Sequence, residues 1–564
     1  MEIKILKKVK RHWVAILIAI VLGILLVLPF FYFQSALREE YKGVQREFID
    51  DELFYMARIK DVIDGYQTLG NAYLYEHKNQ LPQQLFLPEF ILAQPLKILN
   101  LNIVQGRILY SFLLPVLAFI LTYIAFYLIQ PSRLWANLFA VFLFFGLYLF
   151  KFTRPVIPQF VFLFWLSQFI FLWQFLKSPS NRTFKLLSIL NFGLLFYIYP
   201  FYWTFYLVFL AVLIFFYFFR NKAISKQFLK ILIGGLIIGL VYFCLTFLAS
   251  QLPEYQETLT RLQLVFSRSP SEIKSSALAL AVLLFIATLY WPKTIKPKKE
   301  TMFFITGIVS VILVTNQNII TGLKFEFGHY RMLAIFFSAL TFYYLWNNLI
   351  SLNFKIRSLI LSLVIIMSFG GVYSYIQRVV RISDQDIYAQ KYADVFDWFN
   401  ANTPKDSVVY ANEEISQLVP VYTSNNVFYV RSSNLFFISD PEVLERFILN
   451  NYFEKFDRDF VIQNERSIWG VRYIDRYGDA VQANKWRIFL GLKLKDDTRL
   501  PEEEVNKIMI EAEELQNSKL KDGLRDYRAN YLVWDREKDP HWKISENDFK
   551  KIADFSQFAV FEIH

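Results

Sequence analysis

Cysteine is all but missing. The single one in 564 residues, Cys244, lies inside an apolar run, so neither an intrachain disulfide framework nor a cysteine metal site can be built. Glycine and proline are modest at 19 each, which does not advertise the broken helices of many transporters. We find no glycine-rich phosphate loop in the C-terminal part and no internal repeat. The long apolar runs hold almost no ionisable residue near their centres, where charges mark ion paths, proton relays or substrate routes. That absence argues against an ion-coupled transporter or pump.

What is abundant is apolar sequence: 55% of residues, with a mean hydropathy of +0.32. A soluble protein of this length needs more polar surface, so the class indicated is membrane. After a Lys-rich start, an apolar run covers 13–32. It is too long for a signal peptide and lacks a small-residue cleavage site, and so reads as a retained span. Further runs at 108–129, 134–150, 157–176, 186–198, 201–219, 231–252, 277–291, 302–314, 332–346 and 356–375 bring the expectation to about eleven spans. The fold class expected is therefore a polytopic α-helical membrane protein with a C-terminal soluble α/β domain. Residues 1–376 form the transmembrane part and 377–564 the extracytoplasmic domain.

The net charge of +11 could suggest nucleic acid, but its distribution says otherwise. With the N-terminus in the cytoplasm, every inside loop is short and basic: Arg133; Lys177, Arg182 and Lys185; Arg220 to Lys230; Lys293 to Lys299; Lys355 and Arg357. This is the positive-inside pattern of a multi-pass protein of the cytoplasmic membrane. Nucleic acid is not an expected partner; membrane lipid is.

The same count places the chemically rich segments outside. The first of them, 33–104, is long for a connector. It contains Asp50-Asp51-Glu52 at the head of a helix in which Leu53, Met56, Ile59 and Ile63 recur at spacings of three and four. Gly65 supplies a stop. The plain reading is helix chemistry, with Asp50 as N-cap and the other acids favoured by the helix dipole. The functional reading is a carboxylate base beside a second acid, or a pair holding a divalent cation such as Mg or Mn, with Asp51 and Glu52 as the metal candidates. Arg58, Arg154, Glu254, Arg268, His329 and Arg331 are the candidates for gripping a substrate phosphate or its sugar. For each arginine the alternative is snorkelling toward lipid headgroups, and a lone histidine is more often structural. In the tail, helices are expected at 388–402, 441–452 and 501–519, and strands at 406–411, 426–430 and 529–534.

A first span, an acidic cluster early in a long outside loop, many further spans and an outside tail together resemble the GT-C superfamily of membrane glycosyltransferases. Asp50-Asp51-Glu52 followed by Tyr55-x-x-Arg58 is similar to that family's first-loop motif. The stretches 396–409 and 527–534 resemble the terminal domain of its bacterial members. No tryptophan-aspartate motif of the oligosaccharyltransferase type occurs in the tail. The resemblance implies sugar transfer from a polyprenyl-phosphate carrier to a lipid, glycan or protein acceptor on the outer membrane face. Asp50 or Asp51 would be the base, aided by Glu52, and the arginines and His329 would hold the carrier phosphate. Two other readings stand beside it. One is a non-catalytic scaffold or a lipid or glycan translocase. The other is a glycan polymerase or ligase working through the outside arginines and histidine.

Overall fold

The structure is a computed structural model describing residues 11–49, 51–67, 69–83, 86–262, 264–270, 272–290, 298–324, 326, 328–349 and 354–563. Asp50, Lys293, Lys296 and the first ten residues with their lysines lie outside the described residues.

The chain is largely helical. Among the described residues, six helices are long and apolar enough to cross a membrane: Trp13–Glu40, Ile103–Ile129, Pro155–Lys177, Pro200–Arg220, Ile273–Tyr290 and Lys355–Val379. The pair Lys222–Ile238 and Leu240–Ala249, bent by 46°, makes a seventh if counted as one span. The other expected spans differ in kind. Arg182–Ile198 and Lys299–Thr315 have 17 residues each, about 26 Å at the helical rise and short of a ~30 Å hydrocarbon core. The run at 134–150 is interrupted, α-helical over Arg133–Val141 and π-helical over Phe142–Tyr148. Helix Gly328–Leu349 opens with His329 and Arg331, which dilute its apolar character.

Helix α1 (Trp13–Leu37) lies along α4 (Ile103–Ile129). Their backbones approach closely at Gly23, where a Cβ would sit 2.7 Å from Val116 and 2.9 Å from the Phe112 carbonyl. Small residues permit such contacts between helices in lipid. Elsewhere the helices are joined by aromatic rings, as where Trp173 meets Phe303 and Phe304 at 5.5 and 5.2 Å.

The segment 33–104 contributes α2 (Glu52–Ile63) and α3 (Leu87–Leu99). The expected helix thus forms and ends just before Gly65. The N-cap position belongs to Asp51, at φ 69°, and its side chain makes no capping bond. Glu47 serves instead, accepting from the Leu53 amide at 3.0 Å. Two charged side chains of α2 that lie off its apolar stripe, Arg58 and Asp61, are buried. Arg58 pairs with Glu89 of α3, and Asp61 with Lys78, because α2 is covered on that side by α3 and the rest of its own loop.

The tail carries a five-stranded mixed sheet. A two-residue ribbon, β1 (Val265–Phe266) with β2 (Leu323–Lys324), precedes it in the chain. The sheet strands are β3 (Val408–Tyr410), β4 (Asn426–Val427), β5 (Ala529–Asp535), β6 (Phe549–Phe555) and β7 (Phe558–Ile563), in the order β4-β3-β5-β7-β6. The first three pair in parallel and the last two antiparallel. Strand alternation divides two cores. Val409, Val427, Val533 and Val560 face an apolar cluster shared with the membrane helices, while Val408, Phe428, Leu532 and Phe561 face a second one.

The long first loop, 33–104, is stitched to this sheet. The Val427 amide donates to the Tyr73 carbonyl at 2.9 Å, Asn71 to the Ser433 carbonyl at 3.1 Å, and Arg446 pairs with Glu76 at 3.1 Å. A second anchor is Arg261, buried and paired with Asp440, donating also to the Ile438 carbonyl at 2.5 Å. The tail therefore holds α2 in place.

Beyond β5, Asp535 and Asp539 flank one turn. Burial pushes the Asp539 carboxyl up to about 6, and the nearby Asp535 charge acts in the same direction. Its folded value lies above the unfolded 3.8, so its contribution to stability is full below that value and is lost as pH rises to about 6. The wild type is expected to lose melting temperature relative to Asp539→Asn across that window. Parallel melting profiles for the two proteins would refute the linkage.

Candidate functional site

Asp51 stands at the N-terminus of α2 with its carboxylate 59% exposed, the only acid of the cluster that the described residues leave open to solvent. Its Oδ2 accepts from Arg154 Nη1 at 3.1 Å. Arg154 is fixed in turn. Its Nε donates to the Ile157 carbonyl at 2.5 Å, and its guanidinium lies 5.1 Å over the Tyr55 ring, one turn along α2.

A second polar line meets this pair. His329 joins Tyr199 through Nδ1 at 2.6 Å and Glu326 through Nε2 at 2.8 Å, and stacks on Phe201 at 4.5 Å. Burial alone would raise the Glu326 carboxyl. The hydrogen bond and charge of His329, with the charges of Arg154 and Lys151, hold it below the usual carboxylate range. Four segments therefore converge: the head of α2, the stretch 151–156, the turn at Tyr199-Pro200 and the stretch before helix Gly328–Leu349. Arginine, lysine and histidine beside an exposed carboxylate form a surface suited to an anionic group next to a proton acceptor.

The remaining site expectations fall elsewhere. Glu52 is buried; it accepts from the Phe48 amide at 3.0 Å and pairs with Arg107 at the head of α4. Burial pushes its carboxyl up to about 7, against the pull of Arg107. Glu52 and Asp51 therefore point to different surroundings, and the described residues do not fit a shared metal chelate. Among the described residues no group of three or more potential metal ligands gathers anywhere. Arg58 is turned inward to Glu89 at 2.7 Å and packs over Phe54 and Phe436 at 5.4 and 5.9 Å, away from the Asp51 surface. Arg268 donates to the carbonyls of Ile319 and Ile320 at 3.0 and 2.7 Å, tying two loops together. Arg331 grips Glu272 through both carboxylate oxygens at 3.1 Å. Glu254 precedes the short helix Tyr255–Arg261 at its N-cap, without a side-chain cap bond.

Sequence reasoning did not single out Glu326, Arg107 or Glu89. The i,i+3 spacing of Glu326 to His329 was the available signal for the first. The partners of Arg107 and Glu89 are distant in sequence, and no local pattern announces them.

The fold defines a largely helical chain with six to seven long apolar helices among the described residues, which fits a protein that crosses a membrane several times, and a C-terminal mixed-sheet region. No family model and no curated protein matches the chain.

Proposed function

We propose that the protein is a membrane glycosyltransferase of GT-C type, taking a sugar from a polyprenyl-phosphate carrier on the outer face of the cytoplasmic membrane. The observation carrying this reading is the exposed Asp51 carboxylate held by Arg154 beside Lys151 and His329. Asp51 is the base that takes the proton from the acceptor hydroxyl or amine, and Asp50 beside it in sequence keeps the same candidacy. Arg154, with Lys151 and His329, offsets the charge that builds on the departing carrier phosphate. Glu52 positions the loop through Arg107. The acceptor is a lipid, a glycan or a protein.

The test uses full-length protein in nanodiscs, titrated with polyprenyl-phosphate sugars, with transfer to a mixed acceptor pool followed by mass spectrometry. Carrier binding and sugar transfer are expected. Arg154→Ala should weaken carrier binding by roughly ten- to a hundredfold, the worth of a charged hydrogen bond. A folded wild type that binds no carrier would sink the proposal.

The Tyr199–His329–Glu326 line supports a second reading, a glycan polymerase or ligase that shares the carrier but relies on His329. A loss of activity in His329→Ala, with Asp51→Asn unaffected, would favour it.

A further inference from the structure

The tail was expected to be soluble by composition, yet one part of it has the opposite surface. Helix Arg472–Phe489 begins amphipathically, burying Tyr473, Ala480 and Ala483. Between Trp486 and Leu494 every large apolar side chain is turned outward: Trp486 41%, Ile488 67%, Phe489 80%, Leu490 61%, Leu492 50% and Leu494 53% exposed. Folded proteins seldom leave so dense an apolar patch in water without a use for it.

This segment is a built loop. Asn484 closes its base, donating to the Lys495 carbonyl at 3.0 Å and accepting from the Lys495 amide at 2.8 Å. At the tip, the Leu490 amide donates to the Trp486 carbonyl at 3.0 Å and the Leu492 amide to the Arg487 carbonyl at 2.8 Å. Gly491 turns the chain in the left-handed region at φ 65°. Residues 485–494 thus form an ordered finger with an apolar tip.

Its base rests where the chain enters the membrane. Gln482 donates to the Pro270 carbonyl at 3.0 Å, three residues before the apolar helix Ile273–Tyr290 begins. Asp479, five residues before the finger's closing Asn484, is buried and pairs with Lys324 of β2 at 3.2 Å. Two further apolar side chains are exposed beside β2, Phe266 of β1 at 67% and Ile320 of the short helix Asn318–Thr321 at 77%. The charge pattern selects the partner. Within the finger the chain carries Lys485, Arg487 and Lys493 and no acid, while at its base Lys495 pairs with the buried Asp479 at 3.7 Å. Apolar tips interleaved with cations, with a tryptophan at the margin, match the boundary between acyl chains and anionic headgroups.

We propose that residues 485–494 insert into the lipid leaflet on the tail's side of the membrane. The tip reaches the acyl boundary and the lysines meet headgroup phosphates. The tail is then anchored at two places, by the helix Phe354–Val379 that leads into it and by the finger, and the sheet that holds α2 is fixed relative to the bilayer.

The test is made on the full-length Cys244→Ala protein in nanodiscs of mixed phosphatidylglycerol and phosphatidylcholine. A nitroxide is attached at Phe489→Cys or, for reference, at Ile510→Cys on helix Glu502–Gln516, where Ile510 is 58% exposed. The label at 489 is expected to collide severalfold more often with oxygen than with an aqueous nickel chelate, and the label at 510 to show the reverse. A water-like profile at 489, or spin–spin broadening there from a second copy of the chain, would overturn the proposal. A photoreactive benzoyl-phenylalanine at position 489 in the wild-type background gives a readout independent of the cysteine replacement. Cross-links to lipid are expected, and cross-links to protein alone would count against insertion.

Discussion

Asp51→Asn is expected to keep its fold and its affinity for the carrier while losing transfer by roughly 10²- to 10⁴-fold, the usual range for removing a positioned base. Fold retention follows from the surroundings. The Asp51 side chain is mostly exposed and makes no capping bond, and the head of α2 is held by Glu47 and by the Tyr55 amide donating to the Asp51 carbonyl at 3.2 Å. The substitution removes charge and basicity and keeps the shape. The change should therefore appear in kcat with little change in carrier binding, which depends on Arg154. Melting temperature, carrier titration and single-turnover transfer measured on one preparation separate these effects. If Asp51→Asn and Asp50→Asn both retain full activity, the base lies elsewhere, and the His329 line becomes the place to look. If neither Asp51→Asn nor His329→Ala loses activity, the surface they share is not the site of chemistry.

The sequence made the existence of α2 legible because apolar spacing, an acidic head and Gly65 agree on one helix. It did not show what surrounds that helix. Arg58 and Asp61 were placed off its apolar stripe and Arg58 was named for a substrate phosphate, because a charged side chain is rarely buried without a partner. The partners Glu89 and Lys78 lie 31 and 17 residues away, beyond any local pattern. The span count shows a related limit. Composition marks apolar runs, whereas six helices, or seven with the bent pair, have both the length and the composition among the described residues, and the 17-residue helices and the interrupted one at 133–148 are shorter. In the tail, β3 and β5 were legible as compact apolar runs, as befits strands buried on both faces. The edge strand β6 was not, since Lys550 and Lys551 give it the charge that guards an open sheet edge. At the site, Asp51, Arg154 and His329 were named individually. Their convergence was not readable, because it depends on how the tail holds the first loop against the ends of the apolar helices.

The largest stability effect is expected at the Arg58–Glu89 pair, and it also decides whether Arg58 has any role with substrate. Both side chains are essentially without solvent, at 0% and 1% exposure, and joined at 2.7 Å. Breaking such a pair by removing one partner leaves an uncompensated buried charge, at a cost of about 3–5 kcal/mol. Arg58→Ala and Glu89→Ala should therefore each yield little folded protein, with activity per folded molecule unchanged. Arg58 also packs against Phe54 of α2 and Phe436 of the tail, so Arg58→Ala should additionally loosen the seam between them, seen as faster proteolysis of the first loop. The paired replacement Arg58→Met with Glu89→Leu exchanges two charges for apolar side chains of similar reach and is expected to recover most of the lost stability. This double variant discriminates between the two roles. If Arg58 holds the loop, the double variant folds and binds carrier as the wild type does. If Arg58 gripped the carrier phosphate, as its place in the sequence motif suggested, the double variant would fold and still bind carrier weakly. The carrier titration on that one protein separates a structural arginine from a substrate-binding one, because stability has been restored and can no longer account for a loss.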